Sequence, residues 1–153
     1  MAFENYWNET HKKYFTGKPV YDNWLDKYSS ILEKIKTPIL DLGCGSGNDT
    51  LYLTEKGFSV IACDYSDIAL EQVNQNIKNV KTIKLDISLP LPFEDNAFDL
   101  IIADLSLHYF DEKTTKNIMK ELLEDLDSSI IYLINKNGLH WRPLCLGPIT
   151  ANL

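Results

Sequence analysis

Residues 41 to 47, Asp-Leu-Gly-Cys-Gly-Ser-Gly, hold the side chains and spacings with the most chemical meaning in this chain of 153 residues. Glycines at alternate positions, Gly43, Gly45 and Gly47, follow a short apolar run of Ile39, Leu40 and Leu42. A helix-like stretch from Asn48 to Lys56 comes directly after them. Without side chains, the backbone N–H groups of such a bend can approach a ligand closely, and the helix start favours negative charge beside it. In open α/β sheets that pocket lies at the carboxyl end of the strand. Asp41 sits in the last turn of this strand, where a carboxylate repels a pyrophosphate and suits a ligand with a cationic group. The dinucleotide fingerprint G-x-G-x-x-G also fails here, because Asn48 stands where its third glycine belongs. A nicotinamide-binding domain is therefore the weakest of the readings considered.

A second acid, Asp64, closes the apolar run Phe58–Cys63 and lies 17 positions after Gly47. Dinucleotide folds place a ribose-binding acid about 20 residues on, and one carboxylate can accept from both ribose hydroxyls. A helix cap is the competing role, but Ser66 is the better cap for Ile68–Ile77. His108, after a later apolar run, is the candidate base, since a neutral imidazole can take a proton from a thiol or hydroxyl near neutral pH. Tyr109, His11 and Trp7 are weaker candidates. Cys44, Cys63 and Cys145 are odd in number and lack C-x-x-C spacing, which excludes a zinc site or disulfide framework and points to a reducing cytoplasm. No metal is expected.

Alternating elements must position these groups. Gly57 is the natural stop of the first helix. Lys81–Leu85 and Phe98–Ala103 read as third and fourth strands, the latter a continuous apolar run suited to a strand covered on both faces. Two close prolines make residues 88 to 93 a loop. Glu112–Leu126 is amphipathic and Ser129–Ile134 is a fifth strand. The strand–helix–strand order predicts an α/β fold with a doubly wound, mostly parallel sheet. Ahead of it, Tyr21 to Ile35 carry one apolar helical face. Residues 3 to 16 are aromatic without strong periodicity. The net charge of −7 argues against broad nucleic-acid or anionic-membrane binding. No apolar run reaches the length of a membrane span.

Asp41 to Gly47 resembles the first motif of the class I S-adenosylmethionine-dependent methyltransferases, and Asn48 to Leu53 is similar to their small-molecule branch. The resemblance spans about Ile39 to Asp127. It implies a Rossmann-like core, S-adenosyl-L-methionine as cofactor and methylation of a small-molecule acceptor. The cofactor-binding set it implies is Asp41, Gly43, Cys44, Gly45, Gly47, Asp64, Tyr65, Asp86, Ile87, Asp104 and Leu105. Within it, Asp86 and Ile87 reach the adenine, and the segment from Asp104 to Phe110 faces both donor and acceptor. The chain lacks the Asn/Asp-Pro-Pro-Tyr/Phe tetrapeptide of the branches that methylate base or amide nitrogens. Residues 3 to 16 correspond to a region that often forms a lid.

The expected organisation is an N-terminal segment at 1–36, a cofactor-binding core at 37–134 and an abbreviated tail at 135–153. Only 19 residues follow Ile134, too few for the helix and hairpin that complete the family's sheet. The fifth strand would then be a bare edge, open to pairing with a second copy. A fold that binds the cofactor without transferring methyl is the alternative reading.

Overall fold

A computed structural model describes residues 2–94, 97–104, 106–124 and 132–134. The tail from 135 onward, Leu105 and most of the stretch before the fifth strand lie outside the described residues. Five parallel strands form one sheet in the order β3-β2-β1-β4-β5. They are β1 (Ile39–Leu42), β2 (Val60–Asp64), β3 (Lys81–Lys84), β4 (Leu100–Ile102) and β5 (Tyr132–Ile134). The helices are α1 (Ala2–Tyr14), α2 (Ser29–Leu32), α3 (Asn48–Glu55), α4 (Asp67–Asn76) and α5 (Glu112–Glu124). The order reverses between β1 and β4, the switch point at which open α/β sheets form a crevice.

The two-residue period of a strand sorts β1 into its neighbours. Leu40 and Leu42 join Cys63, Ile101 and the α5 residues Ile118 and Leu122 in one cluster. Ile39 joins Val60, Leu100, Ile102, Tyr52 and Leu53 on the opposite face. Asp41 shares the parity of Ile39, so the strand turns its carboxylate towards α3. The entry to β1 is tied to β4 through Asp99, which accepts from the backbone N–H of Lys36 and Thr37 at 3.0 and 3.1 Å.

The apolar face expected over residues 21 to 35 is buried through Leu25, Tyr28 and Leu32, with Trp24, Ile31 and Ile35 packed against it. It is not one helix. A 3-10 turn at Trp24–Tyr28 leads into the four-residue α2. Side-chain ties to α3 accompany that local geometry: Trp24 Nε1 donates to Asp49 at 2.7 Å and the Tyr52 hydroxyl donates to Asp26. Ser66 caps α4 as expected, its hydroxyl accepting from Ala69 N–H at 3.2 Å.

Gly47, at the start of α3, and Gly57, after its end, both have φ of +89°. A Cβ at Gly57 would meet nothing within 4 Å, whereas at Gly47 it would stand 2.9 Å from Val73 of α4 and 3.0 Å from Ile77, the residue after that helix. Gly57→Ala should therefore cost only the left-handed strain, about 1 kcal/mol. Gly47→Ala adds a packing clash and should cost more than about 2 kcal/mol. Urea denaturation of the two variants checks this; equal losses would contradict the packing of α4 on the bend.

Candidate functional site

The strands β3, β2, β1 and β4 each carry an aspartate at or within two residues of their carboxyl end. In spatial order they are Asp86 after β3, Asp64 closing β2, Asp41 in β1 and Asp104 after β4. In-register pairing of β2 with β1, Cys63 opposite Leu42, brings these carboxyl ends to one level. Together with the glycine bend they line a cavity of about 290 Å³. Of the residues singled out in the sequence, Asp41, Gly43, Cys44, Gly45, Asp64, Tyr65, Asp86, Ile87 and Asp104 all border it.

Among the described residues two expected ones, Gly47 and His108, do not. Gly47 turns its α-carbon towards Val73 and Ile77 rather than the cavity. Leu105 lies outside the described residues. His108 is exposed and absent from the cavity wall, in correction of the expectation that it faces the site as a base. The 3-10 turn at Leu107–Tyr109 gives the wall to its neighbour, Tyr109, on which the His108 ring packs at 3.9 Å between centroids.

The fourth wall comes from α1. Phe3, Trp7, His11 and Phe15 recur every four residues, and all border the cavity. That spacing is the mark of one helical face. It was legible in the sequence but masked there by Tyr6 and Tyr14, which lie on the exposed side. Asn8 accepts from the Ser66 hydroxyl at 2.7 Å, and Glu4 pairs with Lys84, which also meets Asp67 at 2.6 Å. So α1 is fastened to the start of α4 and the tip of β3. Trp7 meets Tyr109 edge to face, with centroids 4.5 Å apart and planes at 78°.

The carboxylates are held by different means. Asp64 accepts from the backbone N–H groups of Gly45 and Ser66, each at 2.9 Å, which fixes it against the glycine bend. Asp86 accepts from Ser88 N–H at 2.9 Å. Asp41 is 2% exposed and accepts from the Thr50 hydroxyl at 2.5 Å. Burial raises its pKa well above the carboxylate range, and the nearby charges of Asp49, Asp64 and Asp104 add to that. Burial pushes the Cys44 thiol up as well, and Cys63 to about 12, so neither is a ready nucleophile. Among the described residues no cluster is arranged to take a metal ion.

Two buried polar atoms of residues on this wall have no hydrogen-bond partner among the described residues: His11 Nδ1 and Ser106 Oγ. Their residues are 5% and 8% exposed. Buried polar groups are nearly always paired, so an orphan on a cavity wall marks where ligand atoms belong. A Cβ at Gly43 would fall 2.5 Å from that of Ser106, so only glycine fits there. Sequence reasoning passed over Ser106, because a single serine after a strand carries no pattern.

Residues 39–128 match the model of the family described as Methyltransferase domain. Phosphoethanolamine N-methyltransferase 3 of Arabidopsis thaliana is 28% identical over 138 residues, covering 79% of this chain and 27% of its own. A SAM-dependent methyltransferase of Methanosarcina mazei is 29% identical with a TM-score of 0.56, covering 69% of this chain and 56% of that one. A protein of Pyrococcus horikoshii has the same fold at a TM-score of 0.65 and 24% identity, over 83% of this chain and 65% of that one. The chain spans 27% and 53% of the length of the first two curated relatives it matches.

Asp41 also sets a test of the wall. Because its folded pKa is raised, its contribution to stability is full below the ordinary value of 3.8 and is lost as pH rises through the folded value. Asp41→Asn keeps an acceptor for Thr50 and removes the ionisation. The variant should unfold at higher denaturant than the parent at pH 8, by about 1 kcal/mol or more, and the gap should shrink at pH 5. A gap independent of pH would show that Asp41 is not the titrating group.

Proposed function

Because the chain belongs to the methyltransferase-domain family, we propose that it binds S-adenosylmethionine in this cleft and transfers its methyl group to a small molecule. One observation carries the reading: the strand-tip carboxylates and the glycine bend line a single cavity. The residues fit the group. Asp41, under the bend, suits the methionine ammonium. Asp64, at the tip of β2, suits the ribose hydroxyls, and Asp86 with Ile87 suits the adenine. The unpaired His11 Nδ1 and Ser106 Oγ are polar contacts left for a ligand. The names of a Methanosarcina structure and an Arabidopsis relative, a SAM-dependent methyltransferase and an N-methyltransferase, support the same assignment.

When bound, S-adenosylmethionine supplies a methyl carbon on sulfonium, so an acceptor lone pair forms the new bond as the carbon–sulfur pair returns to sulfur. The chain's own work is to hold, align and exclude water. The α1 helix serves as the lid, with Trp7 and His11 on the wall beside the glycine bend and the Glu4–Lys84 salt bridge and Asn8–Ser66 hydrogen bond as the fastening. With the donor already activated, no general base is compulsory. The reducing cytoplasm is the proposed setting, a reading supported by Cys44 and Cys63 as buried free thiols. Among the described residues no helix is long and apolar enough to cross a membrane.

Titration calorimetry with S-adenosylhomocysteine and with NAD checks the reading. The first should bind, and NAD should not; silence towards S-adenosylhomocysteine at millimolar concentration would end the proposal. Asp64→Asn should weaken binding about tenfold or more, through loss of charged acceptors for the ribose. A cationic ammonium beside Asp41 lowers its pKa, so binding should release a fraction of a proton. Binding heats that differ between Tris and phosphate buffers at the same pH would reveal that release. Transfer of labelled methyl to a panel of acceptors then separates a working enzyme from a protein that only binds.

A further inference from the structure

The cleft is more acidic than its donor requires. Six aspartates border it, Asp22, Asp41, Asp49, Asp64, Asp86 and Asp104, with no lysine or arginine among the lining residues. Four of these have roles or places in the donor site, while Asp22 and Asp49 have none. Asp49 is in the first turn of α3 and Asp22 precedes Trp24, whose backbone N–H donates to Asp22 at 3.2 Å and whose indole donates to Asp49 at 2.7 Å. On the same cavity Trp7 and Tyr109 make a corner of two rings at 78°, with Phe110 also on the wall. Ring faces and carboxylates repel anions and attract cations, and do so more strongly where water is excluded. His11, beside Trp7 on the same helical face, lines the same cavity.

We propose that the second molecule admitted to the cleft is an organic cation, an amine taken up as its ammonium form, seated in the aromatic corner of Trp7 and Tyr109 within the field of the aspartates. As the methyl acceptor it rests on the reading above; as a bound cation it does not. A primary, secondary or tertiary amine sheds one proton to water before its lone pair becomes available. Carboxylate or phosphate groups are disfavoured near the corner, because no cation among the described lining residues offsets the aspartates.

Calorimetry on the full chain, with and without saturating S-adenosylhomocysteine, tests this with a matched pair of probes. Choline and 3,3-dimethylbutan-1-ol have the same shape and differ in charge. Choline should bind about tenfold or more tightly than the alcohol, and phosphocholine more weakly than choline. Trp7→Ala should cost most of the choline preference, and Trp7→Phe, which keeps a ring face, should restore part of it. Circular dichroism and a cooperative urea transition like the parent's establish that both variants fold. If S-adenosylhomocysteine binds and the two probes do not differ, the amine proposal is overturned while the donor site stands. A choline preference without S-adenosylhomocysteine binding keeps the cation site and removes the donor reading. Loss of both removes both.

Discussion

A carboxylate buried without a cation beside it is the constraint around which this molecule is arranged. Asp41 lies on a strand covered on both faces, and its one described hydrogen bond is to Thr50. Taking an ionised carboxylate out of water is costly unless a partner compensates, so the group responds by keeping its proton. The surrounding aspartates deepen that effect rather than relieve it. A site that holds one neutral acid gains most from a ligand that brings positive charge. Fold and chemistry meet at this residue: the parity that sends Ile39 into the core sends Asp41 under the glycine bend.

Much of this was readable from the chain. Continuous apolar runs announced the central strands, and the acids Asp41, Asp64 and Asp86 fall at or just after the carboxyl ends of β1, β2 and β3. Ser66 as the cap of α4 and Gly57 as the stop of α3 followed from local backbone chemistry. What could not be read depends on rotation about a local axis. Residues next to each other in a 3-10 turn face different directions, so nothing in the order His108-Tyr109 told which one borders the cleft. Tyr21 to Ile35 carry helical spacing, but a 3-10 turn with side-chain ties to α3 interrupts the helix without removing the buried face.

The N-terminal helix teaches a related lesson. Its inner row repeats every four residues, yet Tyr6 and Tyr14 put aromatic rings on its outer side too. A polar-versus-apolar contrast between faces is therefore weak, although the inner row is consistent in chemistry. Three rings and an imidazole line a space whose opposite wall is acidic. That pairing of materials makes the cavity selective by charge as well as by shape.

The fastening of α1 also bears on how the chain is made. Glu4 finds Lys84, and Asn8 finds Ser66, across 80 and 58 residues of sequence. The helix that covers the cleft precedes in sequence the elements it docks against, and its ties are complete only once the third strand has been translated. Closing a loop of that length carries an entropic penalty that local contacts within the helix do not offset. The roof of the site is thus synthesised early and seated late, after the floor is in place.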